Sequence, residues 1–433
     1  MTPAARIAAA IDVLTEIFAR RRPAADALKD WGLAHRFAGA GDRAAIAGLV
    51  YDALRRRASA AWIMGEQSPR AVVLGMLKRE RGLDAGAIER LFEGSRHAAA
   101  PLTAAERARL QTAGLDDAPP HVAGDFPEWL DPHLERVFGK ERADEGAALA
   151  SRAPLDLRVN TLKGERERVA EALAEYAPEP TRWSPWGLRI RLAADAKAPA
   201  IQAEPAFIKG WVEIQDEGSQ LAALLAAAKP GDQVVDLCAG GGGKTLALAA
   251  AMQNKGQIYA TDSDKRRLAP IHARLQRAGV RNVQVRTPRT GSDVLADLAG
   301  RADLVLIDAP CTGTGAWRRN PDAKWRLRPG ALKERLKEQV EVLDQAAALV
   351  KPGGRIVYVT CSLLDEENGD QVRAFLQRHG EFSVEKPQAV AAALGERAYL
   401  FLRAALTTEE GILMTPRRTE TDGFFVSVVQ RAK

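Results

Sequence analysis

The sequence predicts an α/β protein: a mostly parallel sheet covered on both faces, preceded by a small α/β module and an all-helical domain. Three observations carry this. From about residue 204 onward, continuous apolar, β-rich runs alternate with helical stretches, as in a parallel sheet buried by its crossover helices. A glycine-rich turn closes the first of those runs, at the edge where open α/β sheets bind ligands. The first 125 residues have helical periodicity and no strand alternation.

Taken in order, residues 1–125 place Ile7, Ile11, Leu14 and Ile17 at helical spacing, and Ile46, Val50, Ala53 and Leu54 likewise. Breaks fall at Pro23, at Gly39 and Gly41, at Pro69 and at Pro101, and Ala118-Pro119-Pro120 reads as a linker. In the segment 126–203, residues 155–159 and 187–192 alternate while 165–176 is helical in period, so a strand–helix–strand module is expected. In 204–433, strands are expected at 234–238, 257–261, 283–286, 304–307 and 356–360, with helices beginning near Thr245, Lys265 and Leu332. Residues 424–429 alternate and are expected as an antiparallel edge strand.

Composition excludes several classes. With 433 residues, 46% hydrophobic and 27% charged, the chain has the make-up of two to four globular domains and not of a disordered one. The net charge of +6 is compatible with a polyanionic partner. Three cysteines are too few for a disulfide framework. No uncharged apolar run approaches the ~18 residues of a membrane span. Asp12 and Glu16 interrupt any signal-like layout, so a soluble, cytoplasmic protein is expected.

The first strand of the large domain runs through Asp236-Leu237-Cys238-Ala239 into Gly240-Gly241-Gly242-Gly243-Lys244-Thr245 and a helix. Three ligands compete for this turn. A phosphate loop needs glycine at the position of Cys238, and a dinucleotide site needs a different glycine spacing. An S-adenosylmethionine site fits better, since Asp236 opens a loop that must admit a cationic sulfonium. About twenty residues on, Thr261-Asp262 ends the second strand and places a carboxylate for the ribose hydroxyls.

Cys311, in Asp308-Ala-Pro-Cys-Thr-Gly-Thr-Gly315, and Cys361, in Thr360-Cys-Ser362, follow the fourth and fifth strands, and Cys238 lies at the same edge. A free cysteine is most often a small buried hydrophobe, but here the whole complement falls where ligands bind. Zinc is disfavoured because no Cys-x-x-Cys or Cys/His pairing exists, and no metal is expected.

These motifs, with Arg318-Arg-Asn-Pro-Asp-Ala-Lys-Trp325, closely resemble the NOP/Sun-type RNA cytosine-C5 methyltransferases. Arg158-Val-Asn-Thr-Leu162, Gln215-Asp-Glu-Gly-Ser219 and Thr421-Asp-Gly-Phe-Phe425 resemble that family too, and the likeness covers about residues 127–431. The helical segment resembles the NusB-like domain of the bacterial RsmB type, which modifies small-subunit ribosomal RNA. The resemblance implies a class I, Rossmann-like S-adenosylmethionine-dependent methyltransferase domain at 204–433. It also implies a small α/β RNA-binding module at 126–203 and a NusB-like RNA-binding domain at 1–125. A monomer acting on 16S ribosomal RNA to form 5-methylcytosine is expected.

By the same resemblance, Cys361 is the nucleophile adding to cytosine C6, and Cys311 assists product release. The reverse assignment stays open, because other enzymes acting on C5 use a Pro-Cys nucleophile. Covalent addition is chemically motivated, since carbon 5 of cytosine is a poor nucleophile until a thiolate adds at C6. Asp308 is expected between cofactor and base, at the N3 or N4 edge. The cofactor is expected on the backbone of Cys238, Ala239, Gly240, Gly241, Gly242, Gly243 and Lys244, on Asp262 at the ribose and near Asp308. Two departures stand out. The family often has Ala-Pro at Gly240 and Gly241. Its third strand leads into Gly-Asp for the adenine, where this chain reads Val285-Arg286-Thr287-Pro288-Arg289 with no acid until Asp293.

Trp317, Arg318, Arg319, Lys324, Trp325, Arg326 and Arg328 combine cations with aromatic rings, as suits a single strand threaded past a site. RNA contacts are expected at Arg318, Arg319, Lys324 and Trp325, with Arg55-Arg56-Arg57 a further candidate patch. The target base must be unpaired or flipped out. The rival reading from another class is a non-catalytic RNA-binding or ribosome-assembly factor on a methyltransferase scaffold, and DNA methylation is a third.

Overall fold

The computed structural model describes residues 1–93, 96–192 and 199–433. The described residues form two compact units, one of 1–152 with 317–328, the other of 153–192, 199–316 and 329–433.

The first unit is helical. Helices Pro3–Arg20, Ala40–Arg55 and Pro69–Arg81 bury Ile7, Leu14, Ile46, Val50, Leu54, Leu74 and Met76 in one core. The stripes are those whose spacing predicted them. Starts are capped where the sequence offers an oxygen: Thr2, Ser68 and Asp84 accept from Ala5, Ala71 and Ala87 amides, and Thr103 with Glu106 forms a capping box. A Cβ on Gly75 would sit 2.3 Å from the Ala60 carbonyl oxygen, so glycine permits helices Pro69–Arg81 and Arg57–Met64 to touch backbone to backbone. The helices Asp131–Phe138 and Arg142–Leu149, beyond Ala118-Pro119-Pro120, gather with this unit.

The second unit holds two sheets. In the smaller, β1 (Leu155–Val159), β2 (Glu179–Pro180), β3 (Gly187–Ile190) and β4 (Val212–Ile214) pair antiparallel in the order β2-β3-β1-β4. The helix Arg166–Ala172 contributes Val169 to a core with Leu157, Leu188 and Val212. The fourth strand lies beyond the expected boundary at 203, since its three residues are too short to show a period.

The larger sheet comprises β5 (Gln233–Asp236), β6 (Gln257–Ala260), β7 (Val283–Val285), β8 (Ala302–Asp308), β9 (Val350–Thr360), β10 (Phe382–Val384), β11 (Leu406–Thr407), β12 (Ile412–Met414) and β13 (Phe424–Arg431). Its order is β11-β12-β13-β9-β8-β5-β6-β7, with β10 also on β13. Strands β5 to β9 are parallel, and β13 runs antiparallel to β9. The strand expected at the edge is therefore interior: β12 and β10 also pair with β13. The chain builds outward from β5 through β6 to β7, then returns to β8 on the other side. That reversal opens a crevice beyond the carboxyl ends of β5 and β8, the general ligand position of open α/β sheets. Register sets Asp236 beside Leu306 and Asp308 beside Val359, so the ends of β5, β8 and β9 share one edge.

Candidate active site

The turn after β5 is a cradle built by glycine. Gly240 and Gly242 have φ of 50° and 84°, and a Cβ on Gly242 would sit 2.5 Å from Ile271. The helix Gly243–Ala251 then points its N-terminus at the crevice. From the neighbouring strand end, Asp262 accepts the Gly240 amide at 2.9 Å and the Asp264 amide at 2.9 Å, which fixes the turn against the second strand. Arg158, wholly buried on β1, donates to the Gly243 carbonyl at 2.8 Å and to Gln215 at 2.7 Å, and burial pushes its guanidinium down to about 10. The small sheet thus holds the start of the cradle helix.

Asp236, Asp262 and Asp308 converge on this turn. Burial, reinforced by Asp308 and Asp262, pushes the Asp236 carboxyl up to about 7 against a bond from the Thr245 hydroxyl at 2.6 Å. Its Oδ1 is buried and finds no protein partner. Burial and the same carboxylates hold the Cys238 thiol well above its usual range, which marks it as an inert wall. Lys244, 6% exposed, puts Nζ 2.8 Å from Asp308 Oδ2 and 5.1 Å from the centroid of the Phe424 ring. Its charge is committed to Asp308, the opposite of a phosphate-loop lysine left free for an anion.

A cavity of about 800 Å³ opens beside the cradle, lined among others by Cys238, Asp262, Arg267, Asp293, Pro310 and Gln345. That is the size range of small-molecule and cofactor sites. At the third strand end, Arg286 is spent on Asp297 at 2.6 and 2.9 Å, and its carbonyl accepts from the Thr261 hydroxyl. Asp293 lines the same cavity.

The ends of β8 and β9 bring the remaining thiols together: Cys311 Sγ lies 3.3 Å from Cys361 Sγ. All three cysteines are free. The bond with Cys361, together with burial, pushes the Cys311 thiol well up. Each loop is locked. The Gly315 amide donates to the Cys361 carbonyl at 2.9 Å, and the Leu363 amide to the Thr314 hydroxyl at 2.7 Å. Gly315 and Gly423 are pressed together: a Cβ on Gly315 would lie 2.3 Å from the Gly423 carbonyl oxygen.

Glu367 ties both loops and was not legible in the sequence, where it sits in an acidic run, Asp365-Glu366-Glu367, that reads as solvated. It is fully buried and accepts the Thr312 amide at 2.8 Å and Gln339 Nε2 at 3.1 Å, while Gln339 also donates to the Pro310 carbonyl at 2.9 Å. Burial raises its carboxyl.

The expected RNA contacts are placed differently. Arg318 and Lys324 are 4% and 1% exposed inside the helical unit. Lys324 Nζ donates to the Arg55 carbonyl at 2.9 Å and to the Asp125 carbonyl at 2.5 Å. Trp325 Nε1 donates to the Leu54 carbonyl at 2.6 Å, and Arg55 to the Arg318 carbonyl at 2.9 Å. Burial pushes Lys324 down to about 7. Arg319 is half-buried. A basic, aromatic stretch therefore serves packing here, because buried backbone carbonyls need donors. The Arg55-Arg56-Arg57 patch is likewise used inward: Arg55 is buried, Arg56 bonds Glu80 at 2.8 Å, and Arg57 lies over Phe18. Among the described residues no helix is long and apolar enough to cross a membrane.

Comparison with known proteins adds a family. The family described as 16S rRNA methyltransferase RsmB/F matches residues 223–430, and the ferredoxin-like domain of that group matches 126–197. The chain is 34% identical over 310 residues to a probable ribosomal RNA small subunit methyltransferase B of Synechocystis, covering 71% of this chain and 67% of that one. It is 36% identical over 253 residues to the ribosomal RNA small subunit methyltransferase B of an Enterobacter, covering 58% of each. Among solved structures, a methyltransferase homolog protein from Pyrococcus horikoshii superposes with a TM-score of 0.57 at 26% identity, covering 72% of this chain and 97% of that one.

Proposed function

Because the chain belongs to the RsmB/F family of small-subunit ribosomal RNA methyltransferases, we propose that it transfers a methyl group from S-adenosylmethionine to carbon 5 of a cytosine in 16S ribosomal RNA. The observation that carries the cytosine-C5 reading is the pair of thiols 3.3 Å apart at the ends of β8 and β9, on the edge that also bears Asp308.

The site fits the cofactor. Asp262 and Asp308 bring acidic side chains to the cradle, which suits a cationic sulfonium, and glycine leaves the turn open to a ligand. The backbone from Cys238 to Lys244 would hold the methionine end, Asp262 the ribose, and Asp293 the adenine side of the cavity. When bound, the cofactor supplies an electrophilic methyl group.

The chain's own residues do the rest. Cys361 adds as thiolate to C6, forming an S–C bond and displacing the C5=C6 electron pair towards C5, which takes the methyl. Asp308, with Lys244 behind it, shares a proton with the cytosine N3 edge and reduces the charge on the adduct. Cys311, having released its own proton to solvent, then accepts the C5 proton as thiolate. The C–H pair restores C5=C6, and Cys361 leaves as thiolate. The coupling of the two thiols supports this order. The hydrogen bond between the thiols, with burial, holds the proton on Cys311; once Cys361 is bonded to carbon that hydrogen bond is gone, and the Cys311 proton is more readily lost to solvent.

The test is methyl transfer from tritiated S-adenosylmethionine to unmodified small-subunit RNA, followed by nucleoside digestion. Label in 5-methylcytidine is expected. Label in another nucleoside, or RNA binding with no transfer, would overturn the reading, and the second result would favour an assembly factor.

A further inference from the structure

A second cavity, of about 330 Å³, lies between the small sheet and the helices Glu217–Leu225 and Gly243–Ala251. It shares no lining residue with the cavity beside the cradle. Its helix wall is small side chains: Ala247, Ala250 and Ala251 stand at i, i+3 and i+4 on one face, opposite Ala223. No carboxylate lines it, so nothing there repels a polyanion.

The rim is a mounted indole. Trp186 is 42% exposed, while Trp183, three residues earlier, is 1% exposed and donates Nε1 to the Thr419 carbonyl at 2.8 Å. Buried Glu217 accepts the amides of Trp183 and Ser184 at 2.6 and 2.8 Å. The Val159 amide donates to the Trp186 carbonyl at 2.8 Å, and a Cβ on Gly187 would sit 2.0 Å from the Thr181 hydroxyl, so the turn has one shape. Arg166 donates to the Pro185 carbonyl at 3.1 Å. On the wall, Gln220 is 1% exposed, and its Oε1 accepts no hydrogen bond from the protein. An exposed indole on a fixed turn beside an apolar slot of this size matches a flat aromatic ring.

We propose that this cavity is a second nucleobase site, in which an unpaired base of the RNA stacks on Trp186 at a distance from the cytosine being methylated. The inference rests on the RNA-methyltransferase reading. Stacking platforms of this kind bind bases with little sequence preference, and a second anchored base would fix the strand while the target is turned out.

The test compares the full-length chain with Trp186→Ala and Trp186→Phe, using a single-stranded oligoribonucleotide and an abasic oligomer of the same length. Trp186→Ala should weaken binding of the base-bearing oligomer about tenfold. It should leave the abasic oligomer unchanged, and Trp186→Phe should restore most of the loss. In methyl transfer, Trp186→Ala should raise KM for RNA with kcat and the KM for S-adenosylmethionine unchanged. Equal loss on both oligomers, or no loss on either, would overturn the proposal. If the wild type bound the oligomer through Trp186 but methylated no RNA, the base site would stand and the methyltransferase reading would fall.

Discussion

Lys244 Nζ lies 2.8 Å from Asp308 Oδ2, joining the start of the cradle helix to the tip of β8. One residue comes from the glycine turn and the other from the strand that leads to Cys311, so a single ion pair ties the turn to the strand end that carries the thiols. Asp308 is 37% exposed, which leaves its second oxygen free for a ligand while the ammonium stays buried. Replacing Lys244 with methionine should therefore lower kcat by about a hundredfold, the cost of losing one aligned charge, with KM for RNA little changed. Steady-state kinetics checks this; an unchanged kcat would remove Lys244 from the mechanism.

Asp236 makes stability depend on pH in a direction opposite to most carboxylates. Its folded pKa is raised to about 7, so between about pH 4 and pH 7 the folded chain holds a proton that the unfolded chain has released. Its contribution is intact below pH 4 and is lost as pH rises to 7. Relative to wild type, Asp236→Asn should gain on the order of 4 kcal/mol of unfolding free energy between pH 4 and pH 8. Denaturant titrations at both pH values check the sign, and a gap that does not widen with pH would contradict it.

Lys324 should behave as a structural residue. Lys324→Met strips the donor from two buried carbonyls and should destabilise the helical unit by about 1–3 kcal/mol. RNA affinity measured against salt should keep its slope, whereas loss of a phosphate contact would reduce that slope by about 1.

The two active-site thiols should close on oxidation. Diamide should convert Cys311 and Cys361 to an intramolecular disulfide, seen as a loss of two hydrogens in the intact mass, and stop methyl transfer until dithiothreitol is added. Cys238, whose thiol is held well above its usual range, should stay reduced. Oxidation that produced only linked dimers would contradict the 3.3 Å separation.

Much of this was legible in the sequence, for physical reasons. Strands β5, β8 and β9 are largely buried on both faces and so read as continuous apolar runs, and the helical stripes of the first unit are equally plain. The glycine turn, Asp262, Asp308, Cys311 and Cys361 fall at strand ends, which the strand pattern locates. What failed was direction and length. Nothing in Lys324-Trp325 tells whether an ammonium faces solvent or two carbonyls, and β4, β11 and β12 are too short to carry a period. Glu367 was hidden for a third reason: burial of one acid in a run of three depends on how β9 and the helix Pro329–Leu349 meet.

The most direct test of the account is covalent trapping. Cys311→Ala, incubated with small-subunit RNA and S-adenosylmethionine, should accumulate a protein–RNA adduct that survives denaturing electrophoresis, because Cys361 has added and no base removes the C5 proton. Cys361→Ala should give neither adduct nor methyl transfer. An adduct from Cys361→Ala, with none from Cys311→Ala, would contradict the assigned roles of the two thiols.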